Sequence, residues 1–336
     1  MPSRTATAFA RLWRTTALAG SLAALAGAAT ADGIARVELS AEGRLLFGAS
    51  DDFGVGVQPI MLGPGATRYT ADEVREDSGG GGALAARVFL PGGWFLGAGV
   101  QYDRLTGDGG SDQAAYLYSS QFPIQGVPGF YSALVDDFTT DIESSYTAVD
   151  FEVGQEFGLG SGQLALFGGL RVAWLERDID VLGNLYQTPG YTAGFERKNR
   201  FFGAGPRIGA SFVQPLGAGF GLLAEASGAV LFGRVETDEV FTAYDGPLNT
   251  AAPVTSRHRD ESQSVWSAEA AAALTYSLAA SLDLPVALAV GYRFEGLFGA
   301  VDNDNDFTPP NPAPASGGTH DSFMTHGPFV RLTVSF

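Results

Sequence analysis

The chain has 336 residues, of which 45% are hydrophobic and only 17% charged, and it contains 46 Gly, 24 Phe, 11 Tyr and no Cys. After the first 31 residues no apolar run approaches the roughly 18 needed for a membrane helix, which excludes helical membrane spans, and so many glycines disfavour an all-helical fold. A formal net charge of -17 has the wrong sign for binding phosphate backbones, and a chain without cysteine has neither disulfides nor thiolate sites.

Residues 1–31 read as a cleaved export signal. Arg4, Arg11 and Arg14 precede an apolar stretch at 16–27, and Ala29-Thr30-Ala31 supplies small residues at a cleavage site. Its removal would take away three Arg and no acid, moving the formal charge from -17 to -20.

From Asp32 the dominant pattern is period-two alternation, the signature of a strand with unlike faces. Ten segments carry it: 34–47, 84–90, 94–105, 146–157, 164–177, 199–213, 220–234, 265–277, 286–298 and 327–336. In the first, Arg36, Glu38, Ser40, Glu42 and Arg44 share one face while Val37, Leu39, Ala41 and Leu45 share the other. Short Gly/Pro turns, such as Pro91-Gly92-Gly93 and those at 158–162 and 215–219, alternate with long connections at 49–80, 106–141, 179–196, 237–262 and 299–322. This regular alternation predicts one all-β domain over 32–336. It would be an up-and-down antiparallel transmembrane β-barrel of ten strands, with short periplasmic turns and long extracellular loops. A further strand pair inside the first two long connections would make twelve.

The aromatic residues indicate which face meets lipid. On the apolar faces Trp94 and Tyr102 stand eight residues apart, Phe202 and Phe212 ten, Phe220 and Phe232 twelve, and Trp266 and Tyr276 ten. At about 3.3 Å per residue and about 45° tilt, ten residues climb roughly 23 Å, close to the ~25 Å apolar band with aromatic girdles at its borders. Trp174 and Tyr292 join this set. The last strand ends on Phe336, which resembles the terminal aromatic signal recognised by the barrel-assembly machinery. Expected partners are therefore that machinery, outer-membrane lipid and lipopolysaccharide, with no nucleic acid. Oligomeric state is left open.

Four runs of sequence carry a family resemblance: Ala148-Val149-Asp150-Phe151-Glu152-Val153-Gly154, Leu166-Phe167-Gly168-Gly169-Leu170-Arg171, Phe202-Gly203-Ala204-Gly205-Pro206-Arg207-Ile208-Gly209 and Gly291-Tyr292-Arg293-Phe294-Glu295. In that order they resemble the Legionella-type major outer membrane protein family, described as pore-forming, over the fourth to ninth strands. The resemblance implies an outer-membrane location and a pore.

Alternation places Arg87, Asp103, Asp150, Glu152, Glu156, Arg171, Arg207, Glu225, Glu269, Arg293, Glu295 and Arg331 on the inner face. Small residues lie between them: Gly97, Gly99, Gly154, Gly169, Gly203, Gly205, Gly209, Ala271, Ala273, Ala287 and Ala289. Ten strands ~4.8 Å apart, tilted ~45°, enclose a backbone diameter of roughly 22 Å, where Gly and Ala would leave room for water. The reading is a narrow porin-like pore passing small hydrophilic solutes or ions, its charges setting selectivity. The alternative is a closed structural or adhesive barrel, with the same charges paired across the lumen and acidic outer loops doing the binding.

No enzymatic activity and no cofactor are expected, since the three His (His258, His320 and His326) fall in no spacing that requires a catalytic set. Asp302, Asp304 and Asp306 suggest the start of a calcium loop, but Phe307 and Ala313 occupy positions where an EF-hand needs Gly and an acid. Only a weak exposed cation site remains there.

Overall fold

A computed structural model describes residues 34–48, 76–111, 115–119, 131–185, 192–245, 250–278, 285–303 and 319–336. The proposed export signal lies outside the described residues, as do Asp304 and Asp306. The strands are β1(Arg36–Gly48), β2(Ser78–Phe89), β3(Trp94–Ser111), β4(Ala115–Ser119), β5(Tyr131–Leu159), β6(Gly162–Leu185), β7(Thr192–Gly217), β8(Phe220–Asp245), β9(Thr250–Ser277), β10(Val286–Asn303) and β11(Thr319–Ser335).

Sequential strands pair antiparallel, apart from two connections that decide the architecture. β1 pairs with β11, with Glu38 opposite Ser335, and β3 skips β4 to pair with β5, with Val100 opposite Val149. The sheet therefore closes into a ten-strand antiparallel barrel. β4 is the eleventh strand but no part of the wall, because it adds only to the outer end of β5, with Leu117 opposite Ala133.

The alternation read from sequence is real, and its polarity is inverted relative to a soluble protein. Ile208, Phe232 and Leu45 are 71%, 63% and 63% exposed, whereas Arg171 and Asp103 are 1% and 0% exposed. Large apolar side chains turned outward and buried ions turned inward suit hydrocarbon outside. The predicted girdle residues all lie on the outer face. Phe220 and Tyr276 are cross-strand partners with ring centroids 4.8 Å apart near the short-turn end, and Trp174 and Phe202 are partners at 5.4 Å near the other border. Trp94, Tyr102, Phe232, Trp266 and Tyr292 are exposed, while Phe212 is half-buried. Tyr292 stacks on His326, whose ring also meets Phe47, so this histidine sits in the aromatic outer surface.

The short turns use the backbone conformations their glycines allow. Gly92 and Gly93 have φ of 83° and 79°. Ala218, at φ 51° between two glycines, is the one non-glycine residue with positive φ among those described.

The long connections are where expectation and structure differ. β5 to β9 run 24 to 29 residues each, whereas a tilted spanning strand needs about 9–11. Much of 131–141, 179–185, 192–196, 237–245 and 250–262, expected as loop, is strand projecting beyond the aromatic border. At 256–262 every residue is polar, so no apolar stripe reveals the period there. Charge pairing across strands supports the projecting stretches instead. Glu176, Arg200, Glu236 and Asp260 form one cross-strand row, and Asp178, Lys198, Asp238 and His258 form the next.

In that second row His258 Nδ1 lies 2.7 Å from Asp238 Oδ1, and this hydrogen bond raises the imidazole pKa above its ordinary ~6.5. A pKa raised by folding contributes stability below the unfolded value, and the contribution is lost as pH rises through the folded value. NMR titration of the folded barrel should place His258 above a free imidazole, and Asp238→Asn should bring it down. Unchanged titration in that variant refutes the pairing.

Candidate functional site

The interior is built in levels, each set by which inward positions of neighbouring strands share a height. Nearest the short turns, two apolar clusters narrow the lumen: Phe89, Phe95 and Ala165 with Phe167, and Leu223, Ala271, Ala273, Ala289 and Phe329 with Val213. Arg36 lies between Glu38 and Glu156, 3.1 Å from each.

Above this floor is a cavity of about 180 Å³. Six carboxylates line it (Glu38, Glu42, Asp150, Glu152, Glu225 and Glu269), against four guanidiniums (Arg87, Arg207, Arg293 and Arg331). The hydroxyls of Ser40, Ser211, Ser227 and Thr333 complete the polar wall.

The cavity ends on a belt of ion pairs crossing the barrel. Arg171 donates to both oxygens of Asp150 at 2.7 Å and to Ser267 at 3.1 Å, contacts Glu269 directly, and lies 3.8 Å from Glu295. Arg44 reaches Asp103 at 2.8 Å and Glu295 at 3.6 Å, and Gln101 donates to both Glu295 oxygens at 2.7 and 2.8 Å. Arg331 bridges Glu42 and Glu225 at 2.8 Å each, and Arg293 joins the same two acids at 3.3 Å. Arg207 meets Glu269, Glu152 and Asp150 at 3.1, 3.4 and 3.6 Å, and Arg87 donates to Glu152 at 2.7 Å. All twelve inward charges expected from the sequence face the lumen, and each has an ion-pair partner there.

Over the belt lies an apolar layer. Leu46, Leu105, Tyr146, Leu175, Phe201, Leu231, Val235, Val265, Leu297, Val301 and Phe323 form one buried cluster drawn from nine of the ten wall strands. The rings of Tyr146 on β5 and Phe323 on β11 approach to 6.1 Å across the lumen. A second polar level follows, with Arg177 3.0 Å from Glu76, Ser144 donating to Glu76 at 2.5 Å, and Arg197 2.6 Å from Glu239.

These levels correct the expected water-filled interior. The inward glycines hold neighbouring side chains, not water. A Cβ at Gly154 would collide with the Phe95 ring, at Gly203 with Phe201, at Gly209 with Phe167 and at Gly97 with Glu152. At Gly169 and Gly205 it would strike the backbone of the adjacent strand, and Ala271, Ala273 and Ala289 pack into the floor. Near Gly99 and Ala271 small size does leave open space, where the cavity lies. Sequence reasoning also left Glu42, Arg44 and Gln101 out of the inward site, although all three belong to the belt. The first two share the polar face already recognised on β1, and Gln101 lies two residues before Asp103 on the same face of β3. Their parity was legible; uncharged Gln101 simply offered no charge to notice.

Among the described residues no group of three or more His, Asp or Glu could hold a metal ion. Asp302 stands near the end of β10, and its side chain is outside the description.

An inverted antiparallel barrel with aromatic borders and a charged interior is an outer-membrane β-barrel. The family model described as Legionella pneumophila major outer membrane protein precursor matches residues 115–336, well over half of the chain, and the chain belongs to that family. No curated protein matches. Among solved structures, the outer membrane protease OmpT from Escherichia coli is 12% identical over 91% of this chain and 97% of its own, with a TM-score of 0.37. The TodX deltaS2S3 mutant monoaromatic hydrocarbon channel is 12% identical over 91% of each chain, with a TM-score of 0.31. A major outer membrane protein from Thermus thermophilus is 11% identical over 89% of this chain and 98% of its own, with a TM-score of 0.32. Likenesses this slight carry no function to this chain.

Proposed function

We propose that this outer-membrane barrel works closed, as a structural barrel whose working surface is the projecting β5–β9 sheet and the acidic segments at its outer end. The observation that supports this reading is the continuous apolar layer above the belt, contributed by nine of the ten wall strands. Hydrated ions would have to shed their water to cross it, and dry hydrocarbon repays none of that loss. The belt beneath ties opposite walls together, which makes the barrel stiff. Export through a cleaved leader at 1–31 and insertion by the barrel-assembly machinery through the Phe336 strand complete the reading.

Porin-like passage of small hydrophilic solutes or ions is the second reading. It is favoured by the charged cavity under the belt and by the pore-forming description that the family resemblance carries. It requires the belt and the apolar layer to part. Planar-bilayer recording of the purified barrel separates the two. Closed-barrel function predicts silence; discrete current steps that change when Arg171 or Glu269 is neutralised overturn it and establish the pore.

A further inference from the structure

We infer that Arg200 and Arg234, with Arg104 three strands away, form a phosphate-binding collar on the lipid-facing side of the wall, and that its occupant is the phosphate of an outer-leaflet lipid, the phosphomonoesters of lipid A. The inference uses the outer-membrane placement of the barrel and does not depend on whether the lumen conducts, so a silent bilayer and a failed lipid measurement are separate outcomes.

The ground is an order of charge repeated on five wall strands, β3 and β6 to β9. Each carries an aromatic of the outer border: Tyr102, Trp174, Phe202, Phe232 and Trp266. Two positions further from the short turns, on the same face, stand Arg104, Glu176, Arg200, Arg234 and Ser264, three cations and one acid. The next outward positions hold Thr106, Asp178, Lys198, Glu236 and Ser262, one cation and two acids. The third step is Asp108, Asp180, Glu196, Asp238 and Asp260, five acids and no cation.

Height gives this order its meaning. At about 3.3 Å per residue and about 45° tilt, two residues climb roughly 5 Å and six roughly 14 Å. The arginines therefore stand just outside the apolar band, at the level of lipid headgroups, and the all-acid tier stands well above them in water. A guanidinium at that level is drawn to anionic lipid. A dissolved anion approaching the same arginines from water meets the acid tier first and is repelled, whereas a phosphate anchored in the membrane reaches them from below. The charge order thus favours the lipid source.

Local geometry adds a pair. Arg200 stands opposite Glu236 and Phe202 opposite Arg234, so the two arginines are diagonal neighbours on adjacent strands, a separation of about 7–8 Å that one phosphate between their guanidiniums can bridge. Their present partners hold them loosely. Arg200 Nη1 lies 3.7 Å from Glu236 and 3.4 Å from Asp238, and Arg234 meets Asp260 through Nε at 3.1 Å. The two side chains are 44% and 58% exposed, and exposed pairs of this kind are weak, so a phosphate able to take two parallel guanidinium hydrogen bonds competes well.

The test uses the purified barrel in a zwitterionic detergent with EDTA, titrated with diphosphoryl lipid A and with the same lipid after removal of its phosphates, and read by native mass spectrometry. The diphosphoryl form should be retained more tightly. Arg200→Gln and Arg234→Gln should each weaken its retention about fivefold and together about 30-fold, from roughly 1 kcal/mol per surface arginine, while the dephosphorylated form is unaffected. Asp260→Asn, which releases Arg234, should tighten it. Equal retention of the two lipids, or no loss in the double variant, overturns the collar. Retention that appears only with calcium in place of EDTA assigns the lipid to the acids and overturns the arginines' role. Displacement of the lipid by equimolar inositol hexakisphosphate overturns the lipid as occupant in favour of a dissolved anion.

Discussion

Replacing Arg171 by Met should destabilise the barrel by about 3–5 kcal/mol, because removing one partner of a buried ion pair leaves the others charged and unsolvated. Arg171 is 1% exposed and holds Asp150 through two hydrogen bonds while contacting Glu269 and standing near Glu295. Without it Asp150 and Glu269 share Arg207 as their nearest remaining cation and Glu295 keeps Arg44 at 3.6 Å, too little charge for three buried carboxylates. The measurement is the urea midpoint of the purified barrel, read by the shift between folded and unfolded migration on an unheated gel. Arg104→Met provides the contrast. Arg104 pairs with Glu143 at 2.8 Å, but the two side chains are 53% and 48% exposed, and such surface pairs contribute about 0–1 kcal/mol. Equal losses in the two variants would show that the belt is no more than a collection of solvated pairs.

Phe201→Ala is expected to cost a similar amount, about 3–5 kcal/mol, through lost burial and the cavity left behind. Phe201 is 2% exposed at the centre of the apolar layer, and its ring lies over the bare backbone of Gly203 and against Gly233. Neither glycine has a side chain that could move into the gap. The same variant tests the seal. If the layer keeps ions out, thinning it should produce brief current steps in bilayers where the unaltered protein is silent. A urea midpoint within measurement error of the unaltered protein would mean that the ring fills nothing that matters.

The wall of this barrel was readable along the chain because each spanning strand sets one face against lipid and one against the interior. Arg36 to Leu45, Trp94 to Leu105 and Phe329 to Phe336 show that contrast plainly. Strand ends were not readable wherever both faces became polar. At 196–200 and 256–262 every residue is polar and no apolar row marks the period; only the cross-strand charge rows display it. β4 escaped for a different reason: five residues are too few to establish a period.

The interior shows the same division more sharply. Alternation assigned Arg171, Asp150, Glu269 and the other expected charges to the inner face, since side-chain direction follows from local backbone geometry alone. Whether those charges stand in water or grip one another depends on heights and distances between strands far apart in sequence, as when Arg331 reaches Glu42 across the β1–β11 closure. The glycines teach the same lesson. A glycine in a strand states that no side chain starts there, but not whether the space holds water or the ring of a residue such as Phe95, some 59 positions from Gly154 in the chain. Facing direction is a local property of the strand, and open or closed is a property of packing, which exists only once the barrel has closed on itself.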